Sequence, residues 1–119
     1  MEQKLYDIKK LQEISMGNET FVQKMLVTFV ENVAIDIELV KTHRSAENWN
    51  AVAERAHKLA SNFAYLNATD LQQMASSLEK SVIHEGDLTG IAEKADELYN
   101  VTVSLIEQLK LDFNFLCIN

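Results

Sequence analysis

Residues 19–44 read ETFVQKMLVTFVENVAIDIELVKTHR. Val22, Met25, Leu26, Phe29, Val33, Ile37 and Val40 recur there at steps of three and four. That is the period of a helix with one apolar face. At 1.5 Å per residue such a helix is roughly 40 Å long. A face that long needs partners of similar length, and the rest of the chain offers three. Upstream, Leu5, Ile8 and Leu11 mark a short first helix that ends before Gly17-Asn18, a stop followed by an N-cap. Downstream, Ser45 is placed to cap a helix over 46–65 with the stripe Trp49, Val52, Ala53, Ala56, Leu59, Ala60 and Phe63. Asn67, with Asp70 three residues on, reads as the capping box of a fourth helix bearing Leu71, Met74, Ala75, Leu78 and Val82. Asp87 reads as the cap of the last, with Leu88, Ile91, Ala95, Leu98, Thr102, Leu105 and Leu109. The expected fold is all-α: an antiparallel up-and-down four-helix bundle with a short extra N-terminal helix across one end.

Composition agrees. The 119 residues suit one domain, 1–119. Three Gly and no Pro supply too little turn chemistry for a sandwich or barrel. The balance of 11 Lys and Arg against 18 Asp and Glu gives a net charge of −7. That argues against a general nucleic-acid or anionic-membrane binder. The single Cys117 excludes an internal disulfide framework and a multi-cysteine zinc site. With no signal-peptide core and no apolar run of membrane length, the chain reads as soluble and cytoplasmic; it is expected to be a monomer. The tail Phe113-Asn114-Phe115-Leu116-Cys117-Ile118 has no helical period and is too apolar to stand in water. The tail, 113–119, is expected to fold back onto the bundle or to enter a contact.

Glycine-rich phosphate loops, HExxH and EF-hand loops are all missing from the sequence. The candidates for chemistry are the histidines. His43 and His84 fall in the last turns of helices, where the macrodipole favours a cation. His57 lies mid-helix, at about 100° from the centre of its stripe at Ala56. Its helical neighbours Ala53, Ala60, Ser61 and Ala64 are all small, so the imidazole stands in a clearing. Period alone leaves a solvated or packed side chain, a reactive imidazole and a metal ligand open. A Ser-His-carboxylate reading of Glu54, His57 and Ser61 lacks a strained nucleophile turn, and a helix interior offers no free backbone N–H as oxyanion donor.

The stretch Ala56-His57-Lys58-Leu59-Ala60-Ser61-Asn62-Phe63-Ala64-Tyr65-Leu66-Asn67-Ala68 resembles the signature of histidine-containing phosphotransfer (HPt) domains. There an A-H-x-L-K-G-S-S run leads through a hydrophobic residue to a G-A-like turn. Leu5-Tyr6-Asp7 with Leu11 resembles the family's N-terminal helix, and Gly17-Asn18-Glu19 its G-[DN]-x-x-[FL] start of the long helix. Asn48-Trp49, Leu78-Glu79 and Gly86-Asp87 are similar to its D-W, L-E and G-D positions.

The resemblance implies a phosphocarrier without turnover of its own. His57 would accept a phosphoryl group from a receiver-domain aspartate and pass it to another receiver. The partners implied are response-regulator receiver domains and a hybrid sensor kinase. No cofactor is expected on this chain, and Mg²⁺ would sit on the receiver. A neutral imidazole has one nitrogen with a free lone pair, and Glu79 would accept a hydrogen bond from the inner ring N–H. The docking face would comprise Ala53, Ala60, Ser61 and Ala64 with Gln72 and Ser76, burying less than about 1,200 Å² as transient contacts do. Two departures stand out: the family's lysine three residues after the histidine is Ala60 here, and the glycine after it is Ser61. Lys58 is near in sequence but about 100° further round the helix, and its long stem would have to swing to help. A degenerate adaptor that binds receivers or a kinase without carrying phosphate is the alternative.

Overall fold

The computed structural model describes residues 4–117. Five α-helices follow one another: α1 (Lys9–Ile14), α2 (Glu19–Ser45), α3 (Trp49–Tyr65), α4 (Thr69–Ile83) and α5 (Ile91–Asp112), with a closing 3-10 turn at Asn114–Cys117. Packing runs α2 on α3, α3 on α4, α4 on α5 and α5 back on α2. This ring is the expected antiparallel bundle. Its long axis of 43 Å is close to the length of α2.

The expected stripes form the core. Leu26, Val33 and Val40 of α2, Val52, Ala56, Leu59 and Phe63 of α3, Leu71, Ala75 and Leu78 of α4, and Leu98, Leu105 and Leu109 of α5 are all fully buried. Their removal from water, at about 25 cal/mol per Å² of apolar surface, drives the assembly. α2 begins as expected, the Asn18 side chain accepting from the Phe21 N–H at 3.0 Å. α1 lies against one end of the bundle. The Leu5 N–H donates to Gln108 Oε1 of α5 at 2.8 Å, and the Asp7 N–H donates to the Leu66 carbonyl after α3 at 2.8 Å.

Three expected caps are corrected. Ser45 ends α2 instead of opening α3, whose cap is Asn48, accepting from the Ala51 N–H at 3.3 Å. Asn67 takes a left-handed φ of 48°, and its amide donates to Asp7 Oδ1 at 2.7 Å; the cap position of α4 is Ala68, with no side-chain bond. Asp87 caps only a local turn, accepting from the Thr89 N–H at 2.9 Å. α5 instead starts after Gly90 at φ 67°, a conformation glycine adopts without steric cost, and Leu88 is left exposed. Of the tail, Phe113, Phe115 and Leu116 pack on the core, and the Phe113 ring lies 6.2 Å from that of Tyr6. Ile118 and Asn119 lie outside the described residues.

Candidate functional site

The connection between α3 and α4 is three residues, 66–68, so the two helices run side by side. They pack against each other more extensively than any other pair of helices. Small buried side chains permit this, Ala53 and Ala56 on α3 and Ala75 on α4. The approach brings His57 opposite Glu79. Imidazole Nδ1 stands 2.8 Å from Glu79 Oε2, with the side chains 66% and 28% exposed respectively. An ionised carboxylate only accepts, so a neutral ring held in this contact carries its proton on Nδ1. The lone pair of the neutral ring is then on Nε2, on a ring that is mostly in water.

Beside the pair is a shallow hollow. Ala60, Ser61, Ala64 and Tyr65 of α3 form one wall, and Gln72, Ser76 and Glu79 of α4 the other. Six of the expected site residues besides His57 thus meet at one place: Glu79, Ser61, Ala60, Ala64, Gln72 and Ser76. Two do not join them. Ala53 is fully buried, so it supports this face from beneath and cannot be part of a docking surface. Lys58 is exposed and is not among the residues that line the hollow. The Ser61 hydroxyl donates to the His57 carbonyl at 3.4 Å, which leaves the imidazole unobstructed.

Lys10 and Tyr65 were missed in the sequence reading. Lys10, on α1, lines the hollow, its ammonium 3.4 Å from the Ala64 carbonyl. No local signal marks it, because it comes from another helix 47 positions before the histidine. Tyr65 was legible only as the end of α3. It is half-exposed and also borders a neighbouring apolar groove with Leu11, Phe21, Met25 and Phe29. Among the described residues, no three His, Cys, Asp or Glu side chains gather to hold a metal ion. His43 and His84 sit at helix C-termini, away from this hollow.

A family model described as Hpt domain matches residues 24–112. The phosphotransferase RcsD of Escherichia coli (strain K12) is 31% identical over 78 residues, 66% of this chain and 9% of that protein. The chain therefore spans less than a tenth of the length of the curated relative it matches. No solved structure matches.

Proposed function

The chain belongs to the Hpt domain family, and on that premise we propose that it is a histidine phosphocarrier with His57 as the phosphoacceptor. The observation that carries this reading is the 2.8 Å approach of Nδ1 to the Glu79 carboxylate on a ring that is otherwise mostly exposed, which leaves Nε2 as the nitrogen for a partner. Phosphotransfer domains of phosphorelays carry the group and leave the activating chemistry to their partners. The partners proposed here are receiver domains, charged in turn by a sensor kinase.

The step needs only the imidazole of this chain and the acyl phosphate of the receiver. The Nε2 lone pair attacks the phosphorus of an acyl phosphate on a receiver aspartate. The N–P bond forms, the P–O bond breaks, and the aspartate carboxylate leaves with the electron pair. The ring becomes cationic while keeping its Nδ1 proton, and Glu79 faces that charge directly. Attack by the aspartate carboxylate of a second receiver on that phosphorus runs the same exchange backwards, Nε2 leaving with the N–P pair, so no proton need enter or leave. In-line approach requires a protruding nucleophile with no bulk around it. Ala60, Ser61 and Ala64 meet that requirement. The bound Mg²⁺ that neutralises the phosphoryl oxygens belongs, in this reading, to the receiver. Among the described residues no helix is long and apolar enough to cross a membrane. We place the carrier in the cytoplasm as a monomer, where its acidic surface suits protein partners better than nucleic acid.

The test is transfer from phosphorylated receiver domains, read as acid-labile label on this chain. His57→Gln should take none, while His43→Gln and His84→Gln should label as the unaltered protein does. Label on His57→Gln would overturn the assignment. Binding of receivers without label on any form would establish the adaptor alternative, for which Ala60 in place of a lysine is the supporting observation.

A further inference from the structure

A phosphoryl group on His57 carries close to two negative charges, and α3 brings no cation into the hollow beside it. Residue 60 is Ala, and Lys58 stands outside. The side chains that line the hollow include one cation, Lys10, and one anion, Glu79, which the imidazole already engages. We propose that Lys10 supplies the charge that holds the phosphoryl group, so that α1 is part of the site. The inference rests on the phosphocarrier reading and adds to it a residue outside the matched segment 24–112.

Three observations support it. First, the Lys10 ammonium has a neutral hydrogen-bond partner, the Ala64 carbonyl, at a long 3.4 Å. Exchanging that contact for a phosphoryl oxygen replaces a weak bond by a charge-assisted one. Second, the path is clear. Ala64 is two turns from His57 along α3, about 10 Å, and a swing of about one turn brings the ammonium over Ala60. Ala60 and Ser61 put nothing bulky in the way, and the stem can lie along them while the head stays in water. Third, the base of the lysine is fixed. The segment before α1 is tied to the end of α3 through the Asp7 N–H on the Leu66 carbonyl at 2.8 Å and the Asn67 amide on Asp7 at 2.7 Å. The cation therefore swings from a fixed point beside α3.

The experiment uses phosphoramidate, a small phosphoryl donor that needs no docking surface, and reads the rate at which His57 takes up the group. Proteins confirmed as folded by circular dichroism are compared: the unaltered chain, Lys10→Gln, Lys10→Arg, Lys58→Gln, and Lys10→Gln combined with Ala60→Lys. An exposed charge pair is worth on the order of 1 kcal/mol or somewhat more against a dianion, so Lys10→Gln should slow uptake about 3- to 10-fold. Lys10→Arg should keep most of the rate, Ala60→Lys should restore it in the double variant, and Lys58→Gln should change little. The differences should shrink at about 1 M salt, where the screening length falls to about 3 Å. A Lys10→Gln rate within about twofold of the unaltered chain, or an equal loss in Lys58→Gln, would overturn the role of Lys10. If the unaltered chain takes no phosphoryl group on His57 at all, the phosphocarrier reading itself falls, a result distinct from either of these.

Discussion

The α3/α4 and α2/α5 seams close the same bundle by different means. α3 and α4 approach through small buried side chains, Ala53, Ala56 and Ala75. Among the described residues, the one polar side-chain link between them is His57 to Glu79. α2 and α5 are tied by long side chains instead. Arg44 grips Asp96 with two bonds of 2.9 and 3.0 Å, the Tyr99 hydroxyl donates to Glu38 at 2.9 Å, and the Lys41 ammonium lies 5.1 Å from the Tyr99 ring centre. Close backbone packing at α3/α4 provides adhesion without polar fasteners, so the polar pair there is free for chemistry. Across α2 and α5, polar groups are occupied in bridging the two helices.

The sharpest way to break the contrast is to fill the tight seam. Ala75→Leu should overpack it and destabilise the domain by about 1–3 kcal/mol, lowering the denaturant midpoint. The opposite sign is expected on α5. The Thr102 hydroxyl is fully buried and has no hydrogen-bond partner. Thr102→Val removes that unpaired group at nearly constant shape and should stabilise by about 1 kcal/mol in the same denaturation assay.

Smaller effects separate function from adhesion. Glu79→Gln keeps a hydrogen-bond acceptor but loses the charge that faces the phosphorylated ring. Transfer should slow about fivefold, equivalent to about 1 kcal/mol, with the melting temperature nearly unchanged. Arg44→Ala on the other seam should do the reverse, costing about 0.2–1 kcal/mol of stability, less in high salt, and leaving phosphoryl uptake alone. The smallest effect concerns the latch that holds the N-terminal segment to the bundle ends. The Asn67 amide, and next the Lys9 N–H, hold the Asp7 carboxyl below the ordinary carboxylate value. Lys4, then the Tyr6 hydroxyl, do the same for Asp112. Stability from groups shifted this way is present above the ordinary value, about 3.9, and is lost as pH falls through their lower folded values. Hydrogen exchange at about pH 3 should therefore report loosening of residues 4–8 before the core of either seam opens.

Helix types and buried faces were readable because 3.6-residue periodicity is a local property. The stripes on α2 and α4 need no knowledge of what covers them. Cap positions were not readable with the same accuracy, since a side chain that can cap can also bond elsewhere. Asn67 was drawn to Asp7, 60 residues away, and the Asp87 carboxylate to the Thr89 N–H. Asp36 shows the same limit. It sits between apolar stripe positions and is 7% exposed, yet it is tolerated because Arg55 of α3 reaches it at 3.2 Å. No spacing within α2 announces that partner.

The candidate site divides in the same way. The clearing around His57 follows from four small residues at helical spacing, and its family likeness from the order of short motifs along the chain. Both are written in the sequence alone. That Nδ1 faces Glu79, that Ala53 is covered while Ala60 and Ala64 line an open hollow, and that Lys10 enters from another helix were decided only by packing. Local order sets which residues share a face, but which faces meet depends on how closely the backbones can approach. Here that approach was settled by alanines at the α3/α4 seam and by the tie of the segment before α1 to the end of α3.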